Sequence, residues 1–462
     1  MFRSILNTFS NCFKIPELKS RIIFTVVVLA ICRLTAYIRI PGLDGQLLND
    51  IAEKAQQSSG GGPLGLISMF SGGAMQNGAI GALTIIPYIS ATIIIQLLTA
   101  VVPQLSKMAR EEGGRIKIIQ YGRYLTVLLC IGQGLFYAFG YEHPSSIFGT
   151  QITRPLVLYS GNLIWWYRIE ATIVMTAGTM LLMWLGEQIS DRGIGNGVSL
   201  IITINILSRL PAAFFGLKDM FFVTGATGTK ANWGHAIALI LLLAGVIAGI
   251  IAVTQAERKI PVTYAQRAVG RKIYSGGTNY MPLRVNYAGV MPIIFASSIL
   301  MFPQQIAHNI GARFNIKFFT DVANYLYQES GVYITVYSLL ILFFSYFWVA
   351  TQFNELQIAD DLKKNGGYIP GVRPGQATSN YLHNTMSRVT FAGAVFLVVI
   401  AVIPIILGNA LHIPQTVSQF FGGTSMLIAV GVMLDTMRQM ESHLLMRHYD
   451  GFMKKGRLKG RF

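Results

Sequence analysis

The sequence predicts an all-α integral membrane protein with ten transmembrane helices, and three observations carry that prediction. Charge is scarce: 12% of the 462 residues are Asp, Glu, Lys or Arg, against about 25% in soluble domains. Apolar residues make up 52% of the chain, and its mean hydropathy is positive. They come in unbroken runs such as GHAIALILLLAGVIAGIIAV. A membrane β-barrel would instead alternate apolar and polar residues over segments of about 10. A soluble domain this poor in charge lacks the polar surface to stay in solution, whereas lipid covers an apolar exterior.

A spanning helix needs about 20 mostly apolar residues. Ten runs meet that need, at 22–38, 78–101, 121–140, 164–185, 194–215, 234–255, 287–306, 332–353, 390–408 and 421–437. The fourth holds Arg168 and Glu170 near one end; the other interiors hold few or no charges. An even number of spans puts both termini on one side. Lys and Arg total 37 against 20 Asp and Glu, and their positions choose the side. Arg3, Lys14, Lys19 and Arg21 precede span one, and Lys107, Arg110, Arg115 and Lys117 follow span two. Arg258, Lys259, Arg267, Arg271, Lys272 and Arg284 follow span six. Lys363, Lys364 and Arg373 follow span eight, and the tail is basic from Arg447 to Arg461. All fall on one side, which the positive-inside rule makes cytoplasmic. The excess of cations is therefore read as loop charge, with no direct nucleic-acid readout.

Four connections stand out. Two long ones on the basic side, 256–286 and 354–388, mix charge with Gly and Pro and are expected to project. On the other side, 41–77 ends in LGLISMFSGGAMQ, which is too short to span and too apolar for water. It is expected to fold back into the protein as a re-entrant segment. The fourth is the short GEQISDRGIGNG turn.

No catalytic chemistry is legible. Cys12, Cys32 and Cys130 are scattered, so neither a disulfide framework nor a metal site is expected. Arg33 and Arg39 follow the first apolar run, which argues against a cleavable signal peptide. Gly193, Gly195 and Gly197 could suggest a nucleotide loop, but no strand precedes them. Helix entry and close helix packing explain them better. Glu187, Asp191 and Arg192 read as a salt-bridge cluster at a helix end. His383, His412, His443 and His448 match no catalytic pattern, so no enzyme and no cofactor is expected. A secondary transporter for a small solute is the rival class. Such proteins carry carboxylates or His near the midplane, whereas these spans hold Pro87, Pro292, Pro404 and many Gly.

Long strings then point to a family. They are IPGLDG at 40–45, MFSGGA at 69–74, IIPYISATIIIQLLT at 85–99 and MWLGEQISDRGIGNG at 183–197. VNYAGVMPIIFASSILMFP at 285–303, GGYIPGVRPG at 366–375 and FGGTSMLI at 421–428 complete the set. In order and in topological position, from about Lys19 to the C-terminus, the chain resembles the SecY/Sec61-alpha family of protein-conducting channels.

The resemblance implies two pseudo-symmetric five-helix halves, 1–216 and 217–440, forming a clamshell around an hourglass pore, with a basic tail at 441–462. It implies a pore ring of Ile85, Ile89, Val198, Ile202, Ile294 and Ile428. It makes 65–76, with Leu66, Met69, Phe70, Ser71, Gly72 and Gly73, a plug for the outer funnel. A lateral gate to lipid would open between spans two–three and seven–eight, hinged at the internal prolines Pro87 and Pro292. Arg267, Arg271, Lys272 and Arg373 would dock a SecA-like motor ATPase or a ribosome. The family often has two arginines where Arg271–Lys272 stands; Lys keeps the charge without the bidentate fork. Other implied partners are SecE-like and SecG-like small membrane subunits, signal sequences, nascent polypeptide and membrane lipid. The expected location is the bacterial inner membrane.

Overall fold

The computed structural model describes residues 15–48, 70–111, 113–142, 156–211, 213–215, 217, 233–264, 267–269, 272–274, 277–314, 316–326, 330–410 and 424–455. Each of the ten predicted spans carries a helix. In chain order these are α1 (Pro16–Leu34), α2 (Ile86–Val101), α4 (Gly114–Glu142), α5 (Ile164–Arg192) and α6 (Gly197–Leu207). They continue with α7 (Trp233–Gln255), α8 (Met291–Phe314), α10 (Gly331–Gln352), α12 (Gln376–Ala410) and α13 (Thr424–Lys455). Three shorter helices join them: α3 (Pro103–Arg110), α9 (Lys317–Tyr325) and α11 (Glu355–Lys364).

Among the described residues, five stretches are individually long and apolar enough to cross a bilayer. They are Gly114–Glu142, Ile164–Arg192, Ala236–Gln255, Gly331–Lys364 and Gln376–Gly408. α2 and α3 would add a sixth, but they bend by 104° at Val102. α6 depends on enclosure instead. α6 is 11 residues long, and Ile201, Ile202, Thr203, Asn205 and Ile206 are all buried. A helix sheathed by protein does not need a lipid-length apolar run. α7 is the opposite case: Ile240 and Leu241 are exposed, as befits a face against acyl chains.

Packing groups the helices into two sets. α4 lies against α2 and α5, and α1 and α6 both lie against α5 and each other. In the second set α8 packs on α9 and α10, α10 on α12, α12 on α7 and α7 on α13. The sets meet where α2 packs on α8 and α6 packs on α13. Close approach depends on absent side chains at a few points. A Cβ on Gly197 would run into the Gly186 carbonyl. At the end of α4, Glu142 receives a bidentate pair from Arg168 at 2.6 and 2.8 Å. The Arg168 guanidinium also stacks over Phe139 and Trp165, 4.3 and 4.7 Å from the ring centres. This accounts for a cation inside span four, because the charge is paired and shielded.

Two expectations need correction. Span two begins at Ile86, eight residues later than expected; 78–85 forms consecutive turns ending at Thr84, whose φ is +60°. The Thr84 hydroxyl accepts from the Ile86 N–H at 3.1 Å and so helps start α2. Pro87 and Pro292 are not internal prolines: each is the second residue of its helix, α2 or α8. There a missing N–H breaks no helical bond and the fixed φ favours helix entry. The proline inside α8 is Pro303, and the one inside α12 is Pro404.

The two long basic connections share one small sheet. β1 (Glu257–Tyr264) pairs antiparallel with β4 (Thr278–Arg284), from Glu257↔Arg284 to Thr263↔Thr278. β5 (Gly367–Tyr368), from the other connection, pairs with β1 at Thr263↔Tyr368 and Tyr264↔Gly367. A second hairpin joins β2 (Arg267–Val269) and β3 (Lys272–Tyr274). Ile260 and Val262 alternate inward from β1. With Leu283, Phe353, Ile369, Leu382 and Met386 they form a small separate core. The protein is therefore all-α in its spans, with a small β layer at the basic end.

Candidate functional site

The six expected ring residues come from four helices. Ile85 caps α2 and Ile89 follows one turn later, its N–H donating to the Ile85 carbonyl at 3.2 Å, so both share a face. Val198 and Ile202 repeat that spacing on α6, Ile294 lies on α8 and Ile428 on α13. The five isoleucines are buried in one continuous apolar cluster, with Val198 half-buried against it. A Cβ built on Gly186 would lie 3.5 Å from Ile85 Cδ1 and 3.7 Å from Val198 Cγ2. α6 and α8 both pack on α13, which brings in Ile428. None of the six carries a polar side-chain atom. A constriction lined by such side chains would offer no substitute for an ion's hydration shell and would gate by dewetting.

The GIGNG loop sets the register of α6. Asn196 caps it by accepting from the Ser199 N–H at 3.3 Å. The Gly197 N–H donates to Ser190 Oγ at 2.9 Å, and the Ile194 N–H to Thr25 Oγ1 on α1 at 3.1 Å. The Gly195 N–H donates to Gln439 Oε1 on α13 at 2.8 Å, with φ at +91°. The loop is thus a helix entry tied to both sets of helices, as close packing predicts. Glu187 pairs with Arg123 on α4 (Nη2–Oε2 2.7 Å) rather than with Arg192, so the expected local charge cluster is corrected to an interhelical pair. Helix geometry explains this: residues five apart on α5 do not share a face.

Of the expected plug, Leu66 and Met69 lie outside the described residues. Phe70, Ser71, Gly72 and Gly73 are buried in a run of turns that continues to Asn77. Three helix side chains and Arg209, just past α6, hold this turn, mainly by its carbonyls. Asn205 Nδ2 donates to the Phe70 carbonyl at 3.1 Å, Arg33 Nη2 to the Gly72 carbonyl at 2.8 Å and Tyr141 Oη to the Met75 carbonyl at 2.8 Å. Arg209 Nη2 donates to Gln76 Oε1. Sequence reasoning did not single out these holders. The available signal was a cation within an apolar span, Arg33 in the first and Arg209 in the fifth.

At the basic end, Arg373 is exposed on the turn between β5 and α12. Its carbonyl accepts from Thr378 Oγ1 at 2.9 Å, and Gly371 and Gly375 take left-handed φ values of +82° and +101°. The side chain is thus presented outward by a turn anchored through its backbone. Arg267 opens β2 and Lys272 opens β3; Arg271 lies outside the described residues. The second hairpin follows directly on β1, and β5 pairs with β1, so one β layer serves both basic connections.

Comparison with known proteins agrees with this architecture. The family described as SecY matches residues 79–437. A protein translocase subunit SecY of Chlamydia trachomatis serovar D is 42% identical over 461 residues, covering 98% of this chain and 99% of the relative. Its namesake in Thermotoga maritima is 41% identical over 460 residues, at 98% and 99% coverage. A solved protein-conducting channel superposes with a TM-score of 0.58 at 17% identity, covering 91% of both chains. Sec61 from the canine ribosome–channel complex superposes at 0.55, also over 91% of both. With the family match over most of the chain, two relatives above 40% identity along nearly its whole length and the shared multi-pass helical fold, the chain belongs to the SecY family.

Proposed function

We propose that this protein is the central pore-forming subunit of a protein translocase, a gated channel that passes unfolded polypeptide across the membrane and releases membrane helices sideways into lipid. The observation that supports the reading is the shared apolar cluster of Ile85, Ile89, Val198, Ile202, Ile294 and Ile428, which also holds Phe70 of the gripped turn. A bore lined this way seals against ions at rest and accepts varied side chains in transit. Residues 65–76 act as the plug. The two sets of helices correspond to the halves 1–216 and 217–440, and they part at the α2–α8 contact, the lateral gate. The basic β layer and Arg373 face the cytoplasm, as do both termini. This surface receives a SecA-like ATPase or a ribosome, which supplies the driving force the channel lacks. SecE-like and SecG-like subunits complete the assembly in the bacterial inner membrane.

The test is reconstitution with those subunits and the ATPase in proteoliposomes. Precursors with a signal sequence should become protease-protected when ATP is present, and precursors without one should not. Uptake of a small solute in the absence of any precursor would instead support a transporter.

A further inference from the structure

Two arginines reach the buried turn from separate helices. Arg33 closes α1 and Arg209 lies two residues past α6. They approach consecutive glycines: a Cβ on Gly72 would run into Arg33 Nη1, and one on Gly73 would lie 3.0 Å from Arg209 Nη2. Both glycines are in the left-handed region, φ +57° and +91°. Arg33 Nη1 and Arg209 Nε are buried without a hydrogen-bond partner among the described residues. No described carboxylate pairs with either guanidinium; beyond the turn, Arg33 has only the Tyr37 ring, 5.5 Å from its centre. Two neighbouring cations in a medium of low polarity repel and are poorly solvated. The acceptors that compensate them belong to the turn, namely the Gly72 carbonyl and Gln76 Oε1.

If that turn leaves, both guanidiniums lose acceptors and face whatever replaces it. A passing chain offers backbone carbonyls everywhere and carboxylates at Asp and Glu. At Lys or Arg it brings a third cation to the same place. We propose that Arg33 and Arg209 form a cationic collar. At rest it latches the turn; in transit it favours acidic over basic segments of the translocating polypeptide. The proposal rests on the reading of this turn as a movable plug.

The test uses the full channel complex in membrane vesicles with its motor ATPase. Two precursors differ only in a short run of Asp or of Lys in the early mature chain. Wild type should move the acidic one faster. In Arg33→Gln/Arg209→Gln that ratio should fall about tenfold, the scale of one hydrogen bond to a charged group, and resting ion leak should rise. Arg33→Lys/Arg209→Lys keeps the charges but loses the forks, so it should retain the preference while leaking. Arg209→Gln alone should show a smaller loss of preference and covers the case in which the double variant fails to assemble. An unchanged acidic-to-basic ratio in an assembled Gln variant overturns the collar. Deleting 65–76 separates the two readings: leak should rise with the acidic preference intact. If that deletion leaves leak at the wild-type level, the plug reading fails, whatever the collar does.

Discussion

Replacing Ile428 with asparagine tests the proposed constriction where it is most enclosed. Ile428 has no exposed surface and sits on α13, which packs on both α6 and α8. The other five ring side chains are aliphatic and offer an asparagine amide no partner. Burying a polar group unpaired costs about 1–3 kcal/mol by mutational estimates. An open, hydrated bore removes that penalty, so it falls on the closed state alone. At 1.4 kcal/mol per tenfold change, the closed-to-open ratio should drop about five- to a hundredfold. Ile428→Leu keeps volume and apolarity and should cost less than about 1.5 kcal/mol in either state. The assay is resting conductance of the assembled complex in planar bilayers, together with export of a precursor bearing a weakened signal sequence. Asparagine should raise both; leucine should change neither. Equal conductance and equal stringency for the two variants would show that Ile428 is ordinary packing and that the ring assignment fails there.

Tyr141→Phe removes the bond to the Met75 carbonyl, which keeps the Gly78 N–H at 3.1 Å. The loss is about 0.5–1.5 kcal/mol. A cysteine at Ser71, in a background without Cys12, Cys32 and Cys130, should then label about two- to tenfold faster with an aqueous thiol reagent; an unchanged rate removes Tyr141 from the hold. Arg373→Glu should block ATPase-driven export while assembly proceeds, because a charged contact of about 1.5–3 kcal/mol turns repulsive; normal export would show that the β5–α12 turn is not a docking site. Glu142→Ala leaves the half-buried Arg168 unpaired and should cost about 1–3 kcal/mol in thermal unfolding. Arg123→Ala, from a pair whose arginine is 44% exposed, should cost about 0–1 kcal/mol. Similar costs for the two would mean that burial does not govern these pairs.

The spans were legible because hydropathy is a local property: every predicted run carries a helix. The misses share a cause, which is that their determinants lie far away in sequence. β1 pairs with β5 across about a hundred residues, and nothing local in GGYIP announces a strand. Ile260 and Val262 alternate with polar neighbours, a signal that was readable but short. Pro87 was misread because the apolar run continues unbroken through 78–101, while the backbone turns until Ile86. Composition does not register that difference. The ring residues could be named only through resemblance, since a buried isoleucine in a pore and one in a core look alike in sequence. The holders of the turn were harder still, because Arg33 meets a backbone carbonyl, which leaves no trace in side-chain identity, and Arg209 meets a Gln76 side chain far away in sequence.

The two contacts between the sets of helices differ in kind, and the difference bears on where they part. At α6–α13 the Gly195 N–H is satisfied by Gln439, so separation there breaks a polar tie. Helices α2 and α8 themselves carry unpaired polar atoms. Ser90 Oγ and Gln96 Oε1 on α2, and Gln304 Nε2 on α8, are buried with no partner among the described residues. Each such atom raises the energy of the closed arrangement by about 1–3 kcal/mol, relative to one in which water, a headgroup or an entering segment supplies the missing bond. Opening at α6–α13 loses a hydrogen bond, whereas a rearrangement that gives these α2 and α8 atoms polar surroundings recovers some. Gln304→Leu, which removes the unpaired amide at similar volume, should stabilise the closed state. Precursors with weak signal sequences should then be rejected about tenfold more strongly, a shift of 1.4 kcal/mol, with strong signals little affected. Greater leak or relaxed stringency in that variant would show that Gln304 holds α8 closed through a partner, and the seam argument would fall.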